Sequence, residues 1–168
     1  RCTRPGDSGE EGTFSPWHHA VNPLSLLVQG LLRDLCMPAP MKVSVVVPVY
    51  NKGPWLEACF QSLFAQTYGD LEIIAVDDAS TDDGLERLRA MGDPRLRIIA
   101  MEGNVGPGLA AQRGMDEARG EYILRADADD VQHPDRIAAQ VAYLDEHPRC
   151  GALSAQMDLL GRPGERYT

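Results

Sequence analysis

The sequence predicts an α/β fold, a mostly parallel Rossmann-like sheet with helices on both faces, and three observations carry that prediction. Apolar runs such as Val43-Ser44-Val45-Val46-Val47 are short and β-branched, as in strands buried on both sides. Stretches with apolar residues at helical spacing separate those runs. The two kinds alternate from residue 43 onward, the pattern of crossover connections between parallel strands. With 168 residues and 43% hydrophobic content, the chain has material for one ordinary core and too little for two.

Residues 1–40 mix Gly, Pro, Ser, His and charged residues without a sustained period, and composition shifts sharply near residue 41. They are expected to be a poorly ordered tail or a non-native extension, with a short helix over residues 24–35 or a presequence as other readings; residues 41–168 form the working domain. Residues 43–47 open it as a strand closed by Pro48. Leu56, Cys59, Phe60, Leu63 and Phe64 then recur at i, i+3, i+4, i+7 and i+8 behind Pro54, an amphipathic helix. Residues 71–76 read as a second strand, and Ser80 with Asp83 three positions on has the form of a capping box for a helix carrying Leu85, Leu88 and Met91. A third strand follows at residues 96–100, a helix at 107–119 and a fourth strand at 121–126. Pro134 opens a helix with Ile137, Val141 and Leu144 on one face, and residues 152–160 give a further strand.

Charge and composition exclude several classes. A formal net charge of −9 lacks the positive field that grips nucleic acid or an anionic membrane. The four cysteines, Cys2, Cys36, Cys59 and Cys150, contain no C-x-x-C pair and no regular framework, so neither a zinc site nor a disulfide scaffold is indicated, and a reducing, cytoplasmic setting is expected. The longest apolar run, residues 24–32, is interrupted by Ser25, Gln29 and Gly30 and falls short of the roughly 20 residues that cross a bilayer. No basic cluster precedes it, as a secretory signal would require.

The chemistry concentrates in Arg125-Ala126-Asp127-Ala128-Asp129-Asp130. Three carboxylates on four positions repel one another unless they stand in water or hold a cation. Their oxygen-only character suits Mg²⁺ or Mn²⁺ rather than zinc. Parallel sheets bind ligands at the carboxyl ends of their strands, so Tyr50 and Asn51, Asp77 and Asp78, Asn104 and Gly106, and the acidic run are expected to face one cleft.

Five segments, in order and spacing, carry a family resemblance: Val43-Ser44-Val45-Val46-Val47-Pro48-Val49-Tyr50-Asn51, Val76-Asp77-Asp78-Ala79-Ser80-Thr81-Asp82, Asn104-Val105-Gly106, Gly120-Glu121-Tyr122-Ile123 and Asp127-Ala128-Asp129-Asp130. Together they resemble the donor-binding half of the family 2 glycosyltransferases with the GT-A fold, over residues 41 to 161. The resemblance implies an inverting transfer of a sugar from a nucleotide diphosphate donor to an acceptor hydroxyl on a glycan, lipid-linked or protein acceptor, with Mg²⁺ or Mn²⁺. It places Pro48, Tyr50 and Asp78 against the nucleobase, with Asp78 accepting a base N–H, which suits uracil or thymine. It assigns Asn51, Asn104, Gly106 and Asp127 to the nucleotide sugar, and Asp129 with Asp130 to the metal. Ala111-Gln112 stand where relatives often carry Arg-Asn, and Arg113, one position on, is the substitute for contacting phosphate or sugar. The family's general base lies well beyond its D-x-D, so it is expected after Thr168, with any membrane-associating segment, and none is assigned here; the chain reads as a fold truncated at its C-terminus, acting at the inner face of the membrane in a full-length protein.

Plainer readings compete for several residues. Asp82 and Asp83 are read as dipole partners of a first helical turn. Trp55 is read as packing its helix, Cys59 as a core thiol, and His18, His19, His133 and His147 as surface or capping residues with no metal spacing. A non-catalytic nucleotide-sugar-binding module is the alternative function. A receiver-like signalling domain is disfavoured because its late lysine is missing, the only lysines being Lys42 and Lys52. A calcium loop fails because Val131 and Gln132 stand where an oxygen ligand and a glycine belong.

Overall fold

The computed structural model describes residues 41–155 and the pairs 157–158 and 166–167; the N-terminal extension and its candidate helix lie outside the described residues. Strands β1 (Val43–Val49), β2 (Leu71–Asp77), β3 (Leu96–Ala100) and β4 (Tyr122–Arg125) form an all-parallel sheet in the order β3-β2-β1-β4. Between and after them lie α1 (Gly53–Phe64), α2 (Gly84–Ala90), α3 (Pro107–Asp116) and α4 (Arg136–Glu146). Two short strands, β5 (Met157–Asp158) and β6 (Arg166–Tyr167), pair antiparallel. The strand expected over 152–160 is thus reduced, among the described residues, to Met157–Asp158, and residues 152–155 have no regular structure.

Alternation along the strands divides the core into two layers. Val43, Val45, Val47 and Val49 of β1 with Leu71, Ile73 and Ala75 of β2 pack against Leu56, Cys59, Phe60 and Leu63 of α1, Leu88 of α2, and Ile137 and Val141 of α4. On the opposite face Ile74 and Val76 meet Ala110 of α3. Helices therefore cover both faces, and β1 and β2 are buried as their β-branched sequences require.

Local departures from the sequence reading each have a cause. β1 continues through Pro48 to Val49. The Val43 amide donates to the Asp70 carbonyl on the β2 side, and the Val46 carbonyl accepts from the Ala126 amide on the β4 side, so the alternation turns the Pro48 nitrogen toward β4. The β4 ladder has ended at Val46 opposite Arg125, and a proline there removes no bond. α3 stops at Asp116 instead of residue 119, because Glu117 is drawn to other partners: its carbonyl and carboxylate take the Arg97 guanidinium, and its carboxylate also pairs with Arg113. The capping box of Ser80 and Asp83 does not form. Asp83 is the N-cap residue of α2 but makes no side-chain cap bond; Asp82 Oδ1 accepts from the Gly84 amide at 3.0 Å instead.

The end of the sheet where β1, β2 and β3 begin is locked by a buried polar cluster. Glu72, 2% exposed, accepts from Ser44 Oγ at 2.7 Å, from the Arg119 amide at 2.8 Å and from Arg97 at 3.0 Å. Ser44 Oγ also accepts from the Gly120 amide at 2.8 Å, tying the α3–β4 turn beneath the sheet. Backbone touches backbone there: a Cβ on Gly120 would fall 2.5 Å from the Ser44 nitrogen and 2.6 Å from the Val43 carbonyl carbon. Burial works against ionisation of Glu72, but the donors from Ser44, Arg119 and Arg97 outweigh it and hold its carboxyl below the ordinary glutamate range. A depressed carboxyl stabilises the fold above the unfolded-state value and loses that contribution as pH falls through the folded-state value. Glu72→Gln is therefore expected to lower stability by about 2–3 kcal/mol at pH 7 in urea titrations, with the gap between variant and parent shrinking as pH drops below about 4.

Candidate functional site

The carboxyl ends of β1, β2 and β4 open into a cleft of 310 Å³ lined by Pro48, Tyr50, Lys52, Asp78, Pro107, Arg125, Asp127, Ala128 and Asp129. Its shape begins in the loops. Asn51 adopts a φ of 52° and Ala79 a φ of 57°, left-handed conformations that asparagine tolerates and alanine resists. Both are held by cross-loop bonds: the Asn51 amide donates to Ser80 Oγ at 3.0 Å, the Thr81 amide to Asn51 Oδ1 at 2.8 Å, and the Gly53 amide to Asp82 Oδ2 at 2.9 Å. Asn51 thus knits the loop after β1 to the loop after β2. It is not among the residues lining the cleft.

Asp78 has a comparable anchoring task. Only 1% exposed, it accepts the Val105 amide on Oδ1 and the Gly106 amide on Oδ2, both at 2.8 Å, while its carbonyl accepts from Asn104 Nδ2 at 3.2 Å. Gly106 has a φ of 88°, which an L side chain adopts only under strain, and so turns its N–H back to Asp78 at the start of α3. Asn104 and Gly106, expected to touch the nucleotide sugar, brace Asp78 and are not among the residues lining the cleft. Each Asp78 oxygen keeps a second lone pair, and the residue still borders the cleft. Arg113 is turned to a different task, its guanidinium pairing with Glu117 at 2.8 Å outside the cleft lining.

The acidic run alternates as a strand would. Ala126 and Ala128, each 2% exposed, face the core, and Asp127 and Asp129 point out into the cleft. Each exposed carboxylate has a cation: Arg125 meets Asp127 Oδ1 at 2.9 Å, and Lys52 Nζ meets Asp129 Oδ2 at 2.5 Å while lying 5.4 Å from the centre of the Trp55 ring. Trp55 is half exposed and flanks Lys52 instead of packing its helix into the core. Lys52 holds the Asp129 carboxyl below its ordinary range. Asp130 is raised, first by burial and then by Asp127 and Asp129, and it does not line the cleft. Beneath the run, burial and then Asp130, Asp129 and Asp127 push the Cys59 thiol up to about 12, an inert core thiol whose Sγ lies 3.5 Å from the Asp127 carbonyl.

Lys52 and Arg125 are the charged cleft residues that the sequence reading left without a role. The signal was present: Lys52 directly follows Tyr50-Asn51, and Arg125 directly precedes the acidic run. Among the described residues no three His, Cys, Asp or Glu side chains gather to hold a metal ion by themselves. Asp127 and Asp129 nonetheless present hard oxygen donors to one cleft. Mg²⁺ is commonly held by one or two carboxylates with substrate phosphates completing the shell, so this donor set fits a divalent cation brought in with a phosphorylated ligand.

Comparison with known proteins supplies an independent line. The model of the family described as glycosyl transferase family 2 matches residues 44–160. The Streptococcus pneumoniae protein named glycosyltransferase GlyG is 44% identical over 91 residues, covering 53% of this chain and 30% of its own length. The Rhizobium meliloti succinoglycan biosynthesis protein ExoO is 37% identical over 103 residues, covering 61% of this chain and 30% of its own. The chain thus spans less than a third of these curated relatives. Among solved structures, S. aureus TarS 1–349 in complex with UDP aligns with a TM-score of 0.61 at 32% identity, over 64% of this chain and 33% of that one. The mannosyltransferase PcManGT from Pyrobaculum calidifontis, in complex with GDP-Man and Mn²⁺, aligns with a TM-score of 0.58 at 30% identity, over 71% of this chain and 39% of that one. The α/β sheet is the GT-A fold of these neighbours.

Replacing Lys52 by methionine removes the cation that stabilises ionised Asp129. The Asp129 carboxyl is expected to titrate at higher pH in Lys52→Met than in the parent, followed by carboxyl-carbon NMR, while Asp83, held down by Arg87, does not move.

Proposed function

Because the chain belongs to glycosyl transferase family 2, whose model covers residues 44–160, we propose that this domain binds the nucleotide diphosphate sugar donor for transfer to an acceptor hydroxyl with inversion, in the presence of Mg²⁺ or Mn²⁺. The observation that carries the reading is the convergence of Tyr50, Asp78, Asp127 and Asp129 from three strand ends on one cleft. A doubly wound parallel sheet binds ligands at that edge.

The cleft divides by chemistry. Pro48, Tyr50 and Asp78 make its base end: the Tyr50 ring, 45% exposed, offers a stacking face, and Asp78 offers the free lone pairs of its braced carboxylate. A uracil or thymine imide N–H matches that acceptor. Asp127 lies toward the ribose, and Asp129 with Asp127 holds the cation, Asp130 contributing negative charge from behind. Lys52 must leave Asp129 for the cation to bind, and its ammonium then stands beside the diphosphate, as does Arg125. When bound, the divalent cation supplies positive charge against the departing diphosphate.

In the transfer itself, the acceptor oxygen attacks the anomeric carbon from the face opposite the diphosphate, the bond to the diphosphate oxygen breaks, and the nucleoside diphosphate leaves. The chain's part is to fix the donor and to meet the charge that grows on the leaving oxygen. We assign the base that takes the acceptor proton to none of the described residues, and place the acceptor among hydroxyls of glycans, lipid-linked sugars or proteins.

Calorimetry with UDP tests the reading. Mn²⁺ is expected to strengthen UDP binding by the parent chain, and Asp129→Ala to abolish that gain while leaving the fold intact by circular dichroism; a metal gain retained in Asp129→Ala rejects the role of Asp129. Asp78→Asn is expected to weaken UDP much more than pyrophosphate, and an equal loss for both counts against recognition of the base. UDP or dTDP binding more tightly than GDP identifies the base class.

A further inference from the structure

The acidic run hangs between the end of β4 and the start of α4, and α1 together with the residues just past its end reaches across to hold it. Cys59 and Ser62 stand three positions apart on one side of α1, and Gln66 follows just beyond the helix's last residue, Phe64. Cys59 Sγ lies 3.5 Å from the Asp127 carbonyl, and Ser62 Oγ accepts from the Gln132 amide at 2.9 Å. Gln66 does the most. Only 7% exposed, its Nε2 donates to the His133 carbonyl at 2.7 Å and to the Ser62 carbonyl at 3.2 Å, while its Oε1 accepts from the Ile137 amide at 3.1 Å.

These bonds stand where the helix's own cap is missing. Asp135, the N-cap residue of α4, makes no side-chain cap bond, yet the first-turn amide of Ile137 needs an acceptor. Gln66, 71 positions away in sequence, supplies it and at the same time grips the residue before Pro134. Thr67 extends the clamp, its amide donating to the Pro134 carbonyl at 3.0 Å and its hydroxyl to Asp135 at 2.9 Å. The segment carrying Asp127 and Asp129 is therefore pinned at its start by Ala126 and Ala128 in the core, and at its far end by a capping group from the segment that follows α1.

We propose that Gln66 is a positioning residue for the donor site: it sets where Asp127 and Asp129 stand by capping α4 from the segment just past the end of α1. This rests on the reading that those carboxylates hold the donor's diphosphate and its cation. Partners behind metal ligands typically change affinity by about 10–100-fold when removed. Gln66→Met keeps the side-chain length and loses every bond; Gln66→Glu keeps the acceptor for Ile137 and loses the donor to His133.

The test pairs two measurements on the whole chain. Calorimetry with UDP, with and without Mn²⁺, is expected to show the metal-dependent gain reduced about tenfold in Gln66→Met and less in Gln66→Glu, at temperatures where both are folded. Amide hydrogen exchange is expected to quicken at Asp130 and Gln132 while amides of β1 and β2 stay protected. A lowered melting temperature with both the metal-dependent gain and the Asp130 and Gln132 exchange unchanged makes Gln66 a plain structural tie and overturns the proposal. Should Gln66→Met not fold, Gln66→Glu decides alone. If the parent chain itself shows no Mn²⁺ effect on UDP, the donor reading falls, and the exchange measurement still decides whether Gln66 governs the acidic run: faster exchange there upholds it, unchanged exchange ends it.

Discussion

Negative charge crowded at one edge of a parallel sheet is the constraint around which this structure is arranged. In a chain of formal charge −9, carboxylates from the ends of β2 and β4 share one cleft, and each must be matched. Asp78 is matched by two backbone amides, Asp127 by Arg125, Asp129 by Lys52, and Asp82 by amides at the starts of two helices. Asp130 forms no salt bridge among the described residues, and burial, then Asp127 and Asp129, raise its carboxyl against the opposing pull of Arg136 and Lys52. The matches differ in kind: backbone amides cannot move away, whereas Lys52 and Arg125 sit at half-exposed sites with long side chains. Fixed partners shape the cleft and mobile ones can yield to a ligand.

Much of the fold was legible because it rests on patterns of short range. The β-branched runs of β1 and β2 and the spacing of Leu56, Cys59, Phe60 and Leu63 specify buried strands and an amphipathic helix wherever they occur. What misled was local chemistry satisfied from afar. Ser80 and Asp83 have the form of a cap, but Ser80 Oγ is taken by the amide of Asn51, a partner 29 residues distant. Residues 107–119 carry a continuous helical signal, yet Glu117 breaks off to join Arg97 from another strand. No window of sequence displays such competition.

The candidate site was legible in outline for a different reason. The strand-end rule places Tyr50, Asp78, Asp127 and Asp129 together without any knowledge of side-chain contacts. It says nothing about which groups at that edge also brace their neighbours, as Asn51, Asn104 and Gly106 do. Lys52 escaped notice because its meaning depends on Asp129, 77 positions away. The positive φ values of Asn51 and Ala79 lie beside this edge, where strained backbone tends to gather when geometry serves a ligand.

The contact beneath Gly120 bears on how such a domain can diversify. With Ser44 and Val43 main chain occupying the space a side chain would need, the α3–β4 turn at the pole opposite the cleft has no room for any residue but glycine at position 120.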